Sequence, residues 1–167
     1  VLAKKYTVLR STGNFNNEYG LPLCLLRIEH NQTIAVLEMG MSAKGEIRTL
    51  ASIAEPNEGV ITNVNPVHLE FFSSIEEIAA AKAELVLGIK SGGLAILNAD
   101  DMLVAGMSRL RGDISVRTFG VDHSADVRAI EVTDLGLSGT SFVLETPRGK
   151  AQVRLVAAGR HNVTNAL

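Results

Sequence analysis

Short runs rich in Val, Ile and Leu recur along the chain, separated by stretches whose apolar positions follow helical spacing. "YTVLR" (6–10), "TIAVLEM" (33–39), "GVITNV" (59–64), "GLAILN" (93–98) and "ISVRTFG" (114–120) read as strands. Most lack strict alternation, as expected of strands covered on both faces. Helical patterns lie between them, roughly over 18–29, 44–54, 75–90 and 100–110. Strand and helix in alternation predict an α/β fold, a mainly parallel sheet flanked by helices with right-handed crossovers. Beyond residue 124 the period changes. "DVRAIEVTDL", "GTSFVLETP" and "KAQVRLVAA" alternate, and "GLSG" and "PRG" punctuate them as turns. This part predicts a small antiparallel sheet packed beside the parallel one. The division is therefore 1–123 for the parallel part, 124–160 for the antiparallel part, and 161–167 for the start of a following helix.

One helical stretch carries an anomaly. In "SSIEEIAAAKAELVLGIK" (73–90), Ile75, Ile78, Leu85, Val86 and Ile89 share one stripe, and Lys82 interrupts it. An ammonium group is thus aimed at the side of the helix that the pattern buries. Two readings follow. The lysine can snorkel, burying its stem and reaching water with its charge. Or burial can lower its pKa and favour the neutral amine, which adds carbon dioxide to give a carbamate, an anionic ligand resembling a carboxylate.

Composition narrows the function classes. Apolar residues make up 46% of 167 positions, charged residues 20%, and the net charge is -2 with both signs dispersed. A globular domain of ordinary composition follows, with no basic face for a nucleic acid. No apolar run approaches the ~20 residues needed to cross a bilayer. The single cysteine, Cys24, lies in "LPLCLL" and reads as a small core residue in a reducing, cytoplasmic setting. The chain opens on "VLAKKY", which reads as the tail of a helix, and closes on "HNVTNAL", which reads as the first turns of another. A fragment of a longer protein is expected.

In a parallel sheet, ligands bind beyond the carboxyl ends of the strands. After the first strand, "STGNFNNEYGLP" sets two glycines and Asn14, Asn16 and Asn17 ahead of a helix. These asparagines can form turns and caps, or line an anion site. After the second, Glu38 ends an apolar run in "LEMGMSAKGEI". A carboxylate there suits a Mg²⁺ ion carrying nucleotide phosphates, or it caps the next helix. After the third, "TNVNPVHLEFF" brings His68 ahead of the Lys82 helix. His30, His123 and His161 have no such company and read as ordinary hydrogen-bonded histidines.

"GNFNNEYGLPLCLL", "LEMGMSAKGEI", "ITNVNPVHLEFF", "AKAEL" and "GRHNVTNAL", in this order, resemble the central ATPase domain of the Mur ligases, with its P-loop-type α/β fold. The likeness runs from about residue 6 to the end. The first two motifs point to the family member that joins D-alanyl-D-alanine to UDP-N-acetylmuramoyl-tripeptide, and the others belong to the superfamily. The resemblance implies ATP and Mg²⁺ as cofactors, with Glu38 on the Mg²⁺ between the ATP phosphates. It implies a second Mg²⁺ held by His68 and a carbamylated Lys82. It sets Asn14, Asn16, Asn17 and Asn63 along the UDP-muramyl peptide. Asn162 and Asn165 would approach the adenine, with Arg160 and His161 beside them. The implied chemistry is phosphorylation of the peptide carboxylate by ATP, then attack on the acyl phosphate by the amine of D-Ala-D-Ala, a reaction governed by positioning and charge cancellation.

One departure stands out. The family's Gly-rich loop ending in Gly-Lys-Thr is absent here. Gly149–Lys150, the only Gly-Lys pair, is followed by Ala151 and reads as part of a hairpin. The loop is expected upstream of Val1, so this stretch alone is expected neither to bind ATP well nor to catalyse. Another Mur ligase, a folylpolyglutamate synthetase or a non-catalytic relative would share much of this pattern.

Overall fold

Each apolar run becomes a strand shorter than the run itself, because the flanking residues leave the ladder to make turns. The computed structural model describes residues 1–66 and 71–167. The described elements are β1 (Val8–Arg10), α1 (Gly20–Leu25), β2 (Ile34–Val36), α2 (Glu46–Ala54), β3 (Glu58–Ile61), α3 (Ile75–Gly88), β4 (Leu94–Asn98), α4 (Met102–Gly106), β5 (Ser115–Gly120), β6 (Val127–Asp134), β7 (Thr140–Thr146), β8 (Gly149–Leu155) and α5 (Arg160–Thr164). The "VLAKKY" helix tail is a single 3₁₀ turn, Leu2–Lys4. The chain divides into two compact units, 1–56 with 65–89, and 57–64 with 90–167.

In the first unit, β1 and β2 pair in parallel, Val8 with Ile34 through Arg10 with Val36. Leu21, Ile47 and Leu50 form the buried centre beside them, packed by Leu37, Met39 and Leu85. α2 is amphipathic, burying Ile47, Leu50 and Ala51 at the spacing a single apolar face requires. α3 starts at a capping box. The Ser74 side chain accepts from the Glu77 N–H at 3.3 Å, and Glu77 Oε2 accepts from the Ser73 N–H at 2.8 Å. At the other end of α3, Gly88 lets α2 approach closely, since a Cβ there would fall 2.6 Å from the Ala51 Cβ.

The helical stripe needs a correction. α3 buries Ile78, Ala81, Glu84 and Val86. Lys82 is only half-buried, at the margin of that face. Among the described residues the charge enclosed most completely is the carboxylate of Glu84, 4% exposed. Drawing the stripe through Ile75, itself only partly buried, pulled it onto Lys82, and alanines, being small, gave no signal to set it right.

In the second unit one sheet carries β3-β4-β5-β6-β7-β8 in order. β3 to β6 run parallel, and β7 and β8 turn back antiparallel. The expected separate antiparallel sheet is thus a continuation of the parallel one. The edge of β5 would otherwise leave amides and carbonyls unpaired, and β6 takes them. That junction is short: Phe119 pairs with Val127 and Gly120 with Arg128. Asp126 reinforces it, accepting from the N–H and hydroxyl of Thr118 at 2.8 and 3.0 Å. β6 carries a bulge where Glu131 adopts φ 55°. Gly149–Lys150 opens β8 after a tight turn, as the pattern predicts, and Lys150 Nζ pairs with Glu145 at 2.7 Å. Phe142, Ala129 and Val163 form the core beneath this end of the sheet.

Candidate functional site

Because β1 and β2 are parallel, their C-terminal ends open onto the same rim, and the two loops that leave them are stitched together. The Ser11 N–H extends the ladder to the Val36 carbonyl at 3.0 Å. The Ser11 hydroxyl then accepts from the Glu38 N–H at 3.0 Å. Asn16 Nδ2 donates to Glu38 Oε1 at 2.9 Å, and the Gly40 N–H returns a bond to the Asn16 carbonyl at 2.8 Å. Gly40 leaves the room this requires, since a Cβ on it would meet the Asn16 amide group at 3.1 Å. An exposed carboxylate is therefore held at the strand end by one amide, with its backbone fixed by a hydroxyl.

The three asparagines separate by role. Asn16 holds Glu38. Asn17 turns to its own chain, its Oδ1 accepting from the N–H groups of Tyr19 at 3.2 Å and Gly20 at 2.8 Å, and so caps the first turn of α1. Asn14 is exposed on the loop. Lys82 belongs to the same unit, at the middle of α3. His68 lies outside the described residues. Among the described residues no three His, Cys, Asp or Glu side chains gather closely enough to hold a metal. Of the predicted metal ligands among the described residues, Glu38 supplies a hard oxygen donor of the kind Mg²⁺ takes, and Lys82 would join it only as a carbamate.

Glu84, also in the "AKAEL" motif, does different work. Its oxygens accept from the Gly45 N–H at 3.0 and 3.1 Å, from the Arg48 N–H at 3.0 Å and from Arg48 Nη2 at 3.1 Å. Gly45, at φ +93°, begins α2 and has no side chain to cap it. The carboxylate of Glu84 takes that place from another helix.

In the second unit the exit of β3 is pinned by residues at the exit of β4. Asn98 Nδ2 donates to the Thr62 carbonyl at 2.8 Å, and Asp101 Oδ2 accepts from the Val64 N–H at 2.6 Å. Exposed Asn63 lies between these anchors. Asp101 also caps α4 through the N–H groups of Leu103 and Val104. Its neighbour Asp100 is wrapped by the turn after β5. It accepts from the N–H groups of Val121 at 2.6 Å, Asp122 at 2.9 Å and His123 at 2.8 Å, and lies 3.3 Å from His123 Nδ1. Burial raises the pKa of this carboxyl, but the three amides and the imidazole outweigh it and hold the value below the ordinary range. A Cβ on Gly120 would come 2.9 Å from the Asp100 carboxylate.

The same turn reaches α5. Asp122 forms an ion pair with Arg160. Asn162 Nδ2 donates to the Ala158 carbonyl at 2.7 Å and lies 3.1 Å from His161 Nε2, while Asn165 is exposed at the helix end. Sequence reasoning left Gly120, Asp122 and His123 without roles and overlooked Glu84, Asp100 and Asp101. The "NAD" and "D" that close the fourth strand offered a usable signal, two acids ahead of a helix. Only one of them can be the cap.

The model of the Mur ligase middle domain matches residues 1–167. The chain is 38% identical over 167 residues to the UDP-N-acetylmuramoyl-tripeptide–D-alanyl-D-alanine ligase of Bacillus subtilis, covering 100% of the chain and 35% of that protein. Among solved structures, MurF from Acinetobacter baumannii superposes with a TM-score of 0.92 at 34% identity, over 99% of this chain and 36% of that one. MurF ligase from Thermotoga maritima, in complex with ADP, gives 0.82 at 28% identity, over 99% and 38%. The chain thus spans about a third of the length of the curated relatives it matches. With a family match from its first residue to its last and a fold that superposes on solved members, the chain belongs to the Mur ligase family, as the middle domain.

Proposed function

We propose that the chain is the ATP-handling part of a cytoplasmic ligase that joins D-Ala-D-Ala to UDP-N-acetylmuramoyl-tripeptide in peptidoglycan synthesis. The observation that carries this reading is the hydrogen bond from Asn16 to Glu38. It ties "GNFNNEYGLP" to "EMGMSAKGEI", the two motifs that set this member apart from its relatives, at one rim. The names of the relatives and the ADP held by the Thermotoga protein support it.

In this reading Glu38 would hold one Mg²⁺, and His68 with a carbamylated Lys82 would hold another. Such ions would supply cancellation of charge on the phosphoryl group and the peptide carboxylate. The chain's own residues do the positioning. Ser11 and Asn16 fix the direction of Glu38, so its lone pairs are aimed before any ligand arrives. The Asn16 amide oxygen is left to accept from the muramyl peptide, and Asn14 lies exposed on the same loop. Asn17 spends its oxygen on α1 and has only its NH₂ to offer. Asn63, exposed at the exit of β3, offers a further amide to the peptide. Arg160, oriented by Asp122, joins Asn162 and Asn165 on the adenine side. Residues 1–167 are read as a part of the middle domain, with 124–160 as an extension of its sheet.

The test is phosphate release by the full-length protein. Release should require both ATP and the UDP-muramyl tripeptide, and D-Ala-D-Ala should drive it where single amino acids do not. Glu38→Gln should lower kcat about 100-fold or more, the scale of losing a charged group aimed at developing charge. Release driven by glutamate on a folate would assign the chain to a folylpolyglutamate synthetase instead. No release under any acceptor would leave a non-catalytic relative.

A further inference from the structure

We infer that Glu84 is a positioning residue that fixes where Lys82 stands relative to Glu38. This deepens the functional reading above and rests on it. Taking a carboxylate out of water costs several kcal/mol unless hydrogen bonds replace what is lost. The Glu84 side chain is 5% exposed, and its replacement partners all come from the first turn of α2. Arg48 contributes little to this, because its own side chain is 69% exposed and its charge is screened. The amides of Gly45 and Arg48, with the positive end of the α2 backbone, do most of the holding.

The connection to the proposed site is geometric. Lys82 and Glu84 are two residues apart on α3, so they leave the helix about 200° apart. Rotation of α3 about its axis, or sliding along it, would move both. Glu84 prevents rotation by gripping α2 at one end of their contact. Gly88 against Ala51, one turn further on, fixes the axial height. α2 is in turn joined to Glu38 by a loop that Glu46 braces, its Oε2 accepting from the N–H groups of Ser42 at 2.5 Å and Ala43 at 3.1 Å. The backbone of α3 therefore carries Lys82 to Glu84, Glu84 grips the start of α2, and the loop braced by Glu46 leads back to Glu38. A buried carboxylate in place of an apolar side chain supplies direction, which apolar packing does not.

The experiment compares Glu84→Gln, Glu84→Asp, Arg48→Met and Lys82→Ala in the full-length enzyme. Mn²⁺ binding is followed by electron paramagnetic resonance, carbamate formation by ¹³C NMR under labelled carbon dioxide, and kcat and KM for ATP by phosphate release. Glu84→Gln should weaken Mn²⁺ binding and lower kcat about tenfold each, the scale seen when a ligand loses its orienting partner. KM for ATP should stay within about twofold, and the carbamate signal should fall. Glu84→Asp keeps the charge but retracts it by one methylene, and should behave like Glu84→Gln. Arg48→Met leaves the amide bonds in place and should cost about threefold or less. A Glu84→Gln enzyme that melts earlier but binds Mn²⁺ and turns over as before would overturn the inference, leaving Glu84 a clamp between helices. If Glu84→Gln does not fold, unchanged Mn²⁺ binding in Glu84→Asp overturns it equally. Loss of Mn²⁺ binding in Lys82→Ala with none in the Glu84 variants defeats this inference alone. No loss in Lys82→Ala defeats the metal reading and takes this inference with it.

Discussion

Replacing Asp100 should weaken the second unit in a way that depends on pH. The carboxylate accepts three backbone N–H groups and faces one imidazole, with its side chain 16% exposed. A hydrogen bond to a charged group contributes about 1.5–3 kcal/mol net. In Asp100→Ala the N–H groups of Asp122 and His123, on exposed residues, can turn to water, whereas Val121 is 9% exposed and its N–H cannot easily do so. The loss is then dominated by one stranded amide and the missing charge, together about 3 kcal/mol. For a protein of this size that lowers Tm by roughly 6–12 °C. Asp100→Asn keeps one acceptor and should lose about half as much. The native pKa of Asp100 lies below the ordinary aspartate value of 3.8. Its contribution is therefore complete above that value and disappears as pH falls through the native pKa. Urea unfolding of wild type and Asp100→Asn at a series of pH values checks this, with amide hydrogen exchange at residues 121–123 as a local readout. The gap between the two proteins should be full at pH 7 and narrow below pH 3.8. A gap under 0.5 kcal/mol at neutral pH, or one that stays constant into acid, would refute the account.

Three smaller perturbations test the other unit. Gly88→Ala puts a methyl 2.6 Å from the Ala51 Cβ, so α2 and α3 must part, and thermal unfolding should report a loss of about 2 kcal/mol. Asn17→Ala removes the cap on α1 and should cost about 1 kcal/mol in the same melt with Glu38 undisturbed. Asn16→Ala should do the reverse, leaving stability nearly unchanged while lowering ligation by the full-length enzyme.

What was legible in the sequence was whatever a short window specifies. The strand runs, the 75–90 helix with its Ser-Ser-x-x-Glu start and the turn before Gly149 all depend on neighbours along the chain, and all appear close to their expected places. The rim at Glu38 was legible because a polar residue ending an apolar run can only emerge at a strand end. The rest depended on partners far away in sequence. Glu84 looks like an ordinary helix surface acid until Gly45, 39 residues earlier, comes to meet it. Asp100 and Asp101 are adjacent and identical in type, yet one caps the helix after it and the other gathers a turn about 21 residues on. Three asparagines in four positions cannot be told apart by composition, and only the fold gives Asn17 to a helix and Asn16 to a carboxylate. The continuation of one sheet through β6 was likewise hidden, since alternation reports which faces are covered and says nothing about which edge a strand joins.

The narrow join between β5 and β6 has a consequence for how such a chain can change. Two paired residues and the grip of Asp126 on Thr118 are nearly all that the β6–β8 meander shares with the edge it extends, while its own hairpins are paired along most of their length. A piece so weakly sewn on and so well knit within can be lengthened, trimmed or exchanged for another without unpicking the sheet it extends. Homologues that differ in what they clasp could be made by recombination at residues 121–126, with Asp100 as the peg on which any replacement must hang its first turn.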